Sequence, residues 1–252
     1  MRPALSKELW FTEPDMRKDL NFKWWNNKEK SIFYEIEEFF LPVDKMVERE
    51  TGGVSFISNT RLTRLDPDQR IAHLENGQSI KYDKCLLAPG GKPKTLPELE
   101  NAPKEVRDRI LYFRTADDFL RLEKLAGSSK SIVVIGGGFL GSELTCALAN
   151  CSREENKDLR VYQIYPESGN LGKILPQYLS EWVSKKIESE GANLIPGAEV
   201  KQVSMSSDKA VQLTLSNGKE LKVDYIVCAV GLEPDVELAR SSGLEVDEKT
   251  GG

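Results

Sequence analysis

The run Ser131–Leu148, SIVVIGGGFLGSELTCAL, narrows what this 252-residue chain can fold into more than any other stretch. Ile132 to Ile135 are apolar and mostly β-branched, as in a strand buried on both faces. Gly136, Gly138 and Gly141 follow in the spacing G-x-G-x-x-G, and Leu144, Ala147 and Leu148 then recur at helical spacing. Strand, tight glycine turn and helix make the entry to a dinucleotide-binding βαβ unit. Gly136 allows the sharp turn, Gly138 lets backbone approach a pyrophosphate, and Gly141 lets the helix pack on the strand. The helix N-terminus offers free N–H groups and partial positive charge to phosphates.

A second strand is expected at Leu159–Tyr165 (LRVYQIY), followed by Pro166-Glu167. An acidic residue there accepts hydrogen bonds from ribose hydroxyls and repels a 2′-phosphate. The polar stretch Asn150–Asp158 places Glu167 somewhat late, and Lys173 nearby is a potential partner for a phosphate. The spacing therefore favours NAD over NADP.

Composition removes other classes. The net charge is −5, which disfavours nucleic acid as a partner. No apolar run approaches the ~18 residues of a membrane span. Cys85, Cys146, Cys151 and Cys228 show neither C-x-x-C nor metal-ligand spacing, so no metal site is expected and a dithiol reductase is disfavoured. Cys85 and Cys228 lie in apolar runs and read as core residues. No targeting signal is visible, and the lone histidine, His73, reads as solvent-facing.

Along the chain, Leu20–Trp25 and Ser31–Phe40 are aromatic-rich strands or covering loops. Trp10 and Trp24 read as packing residues ahead of an edge over a flat heterocycle. Val54–Ile57, Arg61–Asp66, Gln69–Leu74 and Gln78–Asp83 are short strand candidates, with Asn76-Gly77 as a hairpin turn. Lys84–Gly91 (KCLLAPGG) reads as an apolar strand ending in glycines, and prolines mark the connection after it. Asp117–Leu125 is helical up to Gly127, and Gln177–Glu190 is a second amphipathic helix ended by Gly191. Ala192–Ile195 reads as a parallel strand. Val200–Ser204, Val211–Leu215 and Leu221–Val223 read as antiparallel strands with a turn at Asn217-Gly218, and Tyr225–Val230 as a buried strand closed by Gly231. Leu74–Pro93 and Leu215–Pro234 resemble each other: hairpin, apolar strand, glycine, proline.

This order resembles the two-dinucleotide-domain flavoprotein reductases, glutathione-reductase-like α/β proteins with an NAD domain inserted in an FAD domain. Within them, MRPALSKELW, GGGFLGSEL, YPESGNLGKILP and AVGLEP resemble the apoptosis-inducing-factor family of mitochondrial FAD-dependent NADH oxidoreductases. The resemblance implies part of an FAD domain at 1–91, an NAD domain at 92–231 and a returning FAD-domain segment at 232–252. In that family a first glycine turn precedes MRPALSK and a GD-containing strand follows the last residues here. The chain is thus expected to be a fragment, inactive by itself, with a complete NAD domain and an incomplete FAD domain. A genuine truncation is the alternative.

The resemblance also assigns residues. Lys7, beside the flavin ring, and Glu143, its carboxylate partner, are the expected catalytic pair. Arg2, Lys7, Leu62 and Arg114 match FAD contacts, and Trp25 an aromatic near bound nucleotide; Gly137, Gly138, Phe139, Leu140, Glu167, Lys173 and Gly231 match NAD contacts, beside the turn glycines Gly136 and Gly141. Ala88-Pro89-Gly90-Gly91 departs from the family's A-T-G-G, and Pro89 removes a backbone donor there. The implied activity is hydride transfer from NADH to FAD, with a role in apoptosis and respiratory-chain upkeep. The implied location is the mitochondrial intermembrane space, with release to cytosol and nucleus. The acceptor is unassigned. Glu245 matches a dimer-interface position, so redox-dependent self-association and protein partners are expected. Two alternatives are an NADH-gated redox sensor with little turnover and a ferredoxin or rubredoxin reductase.

Overall fold

The computed structural model describes residues 4–33, 35, 37–46, 48–155 and 158–247. The chain forms two compact units, one of residues 1–32 and 93–231, the other of residues 33–92 and 232–252.

The first unit is built on a five-stranded sheet of β1 (Ile110–Tyr112), β2 (Ser131–Ile135), β3 (Arg160–Ile164), β4 (Asn193–Ile195) and β5 (Tyr225–Cys228). All neighbours are parallel, in the order β4-β3-β2-β5-β1. The order reverses between β2 and β5, and a sheet of this kind binds ligands in the crevice at such a point. Helix α1 (Ala116–Ser128) starts from a capping box between Thr115 and Asp118 and runs through Gly127, one residue past the expected stop. Helices α2 (Phe139–Glu154) and α3 (Gln177–Ser189) follow β2 and β3.

Every residue of β2 is buried because its side chains alternate between two cores. Ile132 and Val134 join Phe119, Leu122, Leu144 and Leu148 on one face. Val133 and Ile135 join Val211, Leu213 and Val203 on the other, where the antiparallel strands Val200–Met205, Val211–Leu215 and Glu220–Val223 cover the sheet. The hairpin expected at Asn217-Gly218 closes with Gly218 at φ +78°.

The first core also takes in Leu9, Trp10 and Phe22. Residues 1–32 accordingly group with 93–231 in one compact unit. Trp10 is fully buried edge-on to Phe119, with ring centres 5.1 Å apart, and its indole N–H donates to the Leu5 carbonyl at 2.8 Å. Arg17 is buried beside Glu155 at 2.7 Å and donates to the Thr12 carbonyl. These contacts tie residues 4–32 to α1 and to the C-terminal end of α2.

In the second unit, Leu62–Asp66, Ile71–Leu74 and Ser79–Lys81 form an antiparallel sheet, turning at Asn76-Gly77 as expected. Gly91–Pro93 pairs with Leu232–Pro234. His73 is partly exposed, its Nε2 3.3 Å from the Arg64 guanidinium. Two expectations fail here. Val54–Ile57 is irregular with Phe56 exposed, and Lys84–Gly90 is irregular with Cys85 and Leu86 exposed. A buried parallel strand needs a neighbour on its edges and cover on its faces. KCLLAPG is met at its last residue, where the Gly90 carbonyl accepts from Asp235 N at 3.0 Å, while Cys85 and Leu86 lack cover and Pro89 removes one ladder donor. Cys85 is therefore a surface thiol, whereas Cys228 is in the core as expected.

Candidate functional site

The site grows from the end of β2. Gly136 takes φ +125°, and a Cβ there would lie 2.3 Å from the Ala229 carbonyl oxygen that follows β5. Only glycine lets the two strand ends close at the crevice. A Cβ on Gly141 would lie 2.0 Å from the Gly136 oxygen, so the helix packs directly on the turn. Gly138 is different: a Cβ there would meet nothing within 4 Å. It is the N-cap of α2, with no side-chain cap and no acidic residue in the first turn. An uncapped helix N-terminus leaves backbone N–H groups and partial positive charge that favour an anion.

The turn's carbonyls are held inward. Gln163, fully buried on β3, donates from Nε2 to the Gly136 carbonyl at 2.9 Å. The Gly137 carbonyl accepts from Leu171 N at 2.7 Å and from Ser142 Oγ at 3.4 Å. Asn170, also fully buried, donates from Nδ2 to Gln163 Oε1 at 2.8 Å and to Ser142 Oγ at 2.9 Å. Ser184 of α3 donates to Asn170 Oδ1 at 3.0 Å, and Ser180 donates to the Asn170 carbonyl at 2.7 Å. Sequence reasoning passed over this set, although a glutamine inside a strand buried on both faces signals a required partner.

Glu167 follows β3, with its side chain largely buried and its carboxylate 3.1 Å from the exposed Lys173. On the first turns of α2, Glu143 receives Lys7 Nζ on Oε1 at 2.5 Å and Ser6 Oγ on Oε2 at 2.7 Å. The structure thus brings Lys7 and Glu143 together and adds Ser6, which sequence reasoning did not single out. The pair is partly open to solvent, Lys7 55% and Glu143 30% exposed at the side chain. Phe139 is exposed and Leu140 half-buried at the start of the same helix. Gly231, at φ +127°, follows β5, and its carbonyl accepts from Lys94 N at 3.0 Å.

Trp25 is 84% exposed at the tip of the hairpin Asn21–Lys23/Glu29–Ser31. Trp24 packs on Phe22 and carries the Lys30 ammonium over its ring. Arg114 is half-buried ahead of α1. Leu62 belongs to the second unit, where it starts the antiparallel sheet, and Arg2 lies outside the described residues. Glu245 is exposed. Among the described residues, no group of His, Cys, Asp or Glu is placed to hold a metal ion, and no helix is long and apolar enough to cross a membrane.

The sequence profile of the pyridine nucleotide-disulphide oxidoreductases matches residues 2–252. The chain belongs to this family. Two mitochondrial relatives align with all of it: a putative apoptosis-inducing factor 1 of Drosophila melanogaster at 42% identity, and apoptosis-inducing factor 1 of Dictyostelium discoideum at 36%. The chain spans 34% and 45% of their lengths. A ferredoxin reductase from Rhodopseudomonas palustris shares the fold at TM-score 0.74 over 98% of this chain and 53% of that one, at 24% identity. A water-forming NADH oxidase from Lactobacillus brevis, solved with NADH bound, does so at TM-score 0.71 over 100% and 49%, at 19% identity. The fold class expected from the sequence, a two-dinucleotide-domain flavoprotein reductase, is the class of these structures. Cys85, Cys146, Cys151 and Cys228 are not joined in a disulfide pair.

Proposed function

We propose that the chain is the NAD(H)-binding part, with some of the flavin-binding part, of an FAD-dependent NADH oxidoreductase of the apoptosis-inducing-factor type. One observation carries the reading: an uncapped helix N-terminus at Gly138 facing open space, with Glu143 of the same helix paired to Lys7. The first feature fits a pyrophosphate, because backbone N–H groups and the helix dipole favour an anion. Gly136, Gly137, Gly138, Phe139, Leu140, Gly141, Glu167, Lys173 and Gly231 would hold NAD(H). Lys7 would face the flavin, with Arg2, Leu62 and Arg114 as further FAD contacts and Trp25 near bound nucleotide. When bound, the two cofactors supply the hydride chemistry. The chain supplies binding and orientation, and a cation held at one place by Glu143 and Ser6.

In this reading residues 92–231 are the NAD domain, and 1–91 with 232–252 contribute to the FAD domain. The relatives' names support a mitochondrial protein with a part in apoptosis. Intermembrane-space residence, release to cytosol and nucleus, respiratory-chain upkeep, a protein electron acceptor and self-association near Glu245 belong to the same proposal.

Gly138→Asp tests the reading because stability and binding should separate. An N-cap aspartate stabilises a helix by a few tenths of a kcal/mol to about 1 kcal/mol. The same carboxylate stands where the pyrophosphate would lie. Melting temperature should hold or rise while NADH binding, measured by calorimetry, is lost. Unchanged NADH affinity in this variant would remove the turn from the site.

A further inference from the structure

We propose that Asn170 is a positioning residue for the dinucleotide turn, setting the direction of its N–H groups from helix α3. The inference rests on the reading of that turn as the NAD site. Asn170, Gln163 and Ser142 are nearly or wholly withdrawn from solvent. Every polar side-chain atom of Asn170 is used: Nδ2 donates twice, and Oδ1 accepts from Ser184. The Gly136 carbonyl can only accept, so Gln163 Nε2 donates to it and Gln163 Oε1 takes an Asn170 Nδ2 hydrogen, which fixes the orientation of both amides. Ser142, accepting from Asn170, is left to donate to the Gly137 carbonyl.

A trans peptide unit points its C=O and the following N–H in opposite directions. Holding the carbonyls of Gly136 and Gly137 toward Gln163 and Leu171 therefore turns the N–H groups of Gly137 and Gly138 the other way. A Cβ added to Gly138 would meet nothing within 4 Å, so the turn leaves room beside that residue. The ordering entropy of the cradle is thus met during folding rather than on binding. The relay starts on α3, since Asn170 N donates to Ser184 Oγ at 2.8 Å and its carbonyl accepts from Ser180. A shift of α3 would reach the turn through one side chain.

Asn170→Asp tests this. The change is isosteric, but it replaces a double donor by an acceptor facing Gln163 Oε1 and Ser142 Oγ. The Gln163 amide must flip to answer it, and its oxygen then faces the Gly136 carbonyl. NAD affinity should fall about tenfold or more, as for loss of a buried hydrogen bond. The amide NMR shifts of Gly137 and Gly138 should move in the ligand-free chain. Val211→Ala, in the antiparallel sheet, serves as a control: it lowers the melting temperature and leaves NAD affinity and both glycine shifts unchanged. Should Asn170→Asp not fold, Ser142→Ala removes one leg of the relay and should weaken NAD binding several-fold. The inference is overturned if the folded variant binds NAD as the parent chain does, or if its glycine shifts stay in place. Failure of the parent chain to bind NAD would sink the functional reading, whereas the glycine shifts would still decide the role of Asn170.

Discussion

Lys7 Nζ lies 2.5 Å from Glu143 Oε1, although the two residues are 136 positions apart and on different elements. The pair is too open to solvent to be a stability device, since exposed ion pairs contribute about 0–1 kcal/mol. Its geometry instead fixes where one cation stands, with Ser6 holding the second carboxylate oxygen. Glu143→Gln should therefore leave the urea midpoint nearly unchanged. In a flavin-loaded longer protein that contains these residues, reduction by NADH, followed by bleaching of the flavin absorbance in stopped flow, should slow about tenfold or more, the scale of a lost charge-assisted contact. Unchanged reduction kinetics would take Glu143 out of the site.

Trp10 carries a different burden. It fills the core between residues 4–32 and the sheet, against Phe119, and its N–H meets the Leu5 carbonyl. Trp10→Ala should cost about 3–5 kcal/mol, since a large aromatic leaves a cavity that packed neighbours only partly close. Trp10→Phe keeps most of the volume but leaves the Leu5 oxygen without its donor, a loss of about 1–3 kcal/mol. Urea denaturation followed by far-UV circular dichroism would rank the two. Equal midpoints for Trp10→Ala and the parent chain would show that the N-terminal segment is not part of this core.

The site's skeleton was legible because its signals are local. Three glycines after a β-branched run specify the turn, and Leu144 and Leu148 specify the helix face that packs on β2. Lys7 and Glu143 met as expected only because a family resemblance linked two distant segments; neither residue carries such a signal alone. The Asn170 relay was missed because its members are polar, scattered over four elements and unremarkable singly. Gln163 held the clue, a polar side chain in the middle of a parallel strand. KCLLAPGG failed for the opposite reason: its pattern is that of a buried strand, but burial depends on neighbours that a local pattern does not record. The three-residue β1 was too short for any period to show.

Alkaline conditions should weaken the fold in a way that traces to Cys228. Burial pushes this thiol from 9.0 up to about 11. The unfolded thiol ionises first, so between those values the folded chain binds more protons and unfolding becomes easier as pH rises. The stabilisation is complete below the unfolded value and gone above about 11, a loss on the order of 2 kcal/mol. Burial raises Cys146, Tyr165 and Tyr112 as well, which adds to the same trend. Urea midpoints should fall steadily across this window, and Cys228→Ala should flatten the slope while slightly lowering the neutral-pH midpoint. A parent chain with constant midpoints across the window would contradict the assignment.

The choice between nicotinamide cofactors should turn on Glu167 and Lys173, 3.1 Å apart with the lysine largely in solvent. Glu167 alone would reject a 2′-phosphate by charge and accept ribose hydroxyls. Lys173 beside it lowers that rejection, because a partly neutralised carboxylate repels an incoming phosphate less. Removing the lysine should thus sharpen the preference for NADH, and removing the glutamate should free a cation for the phosphate and move the preference toward NADPH. Each change should be on the order of tenfold, the effect of about 1.4 kcal/mol of charge interaction in a partly exposed site. Calorimetric titration of Glu167→Ala and Lys173→Ala with both cofactors reads the two ratios directly. Shifts in the same direction for both variants would show that the two side chains do not oppose each other at the ribose.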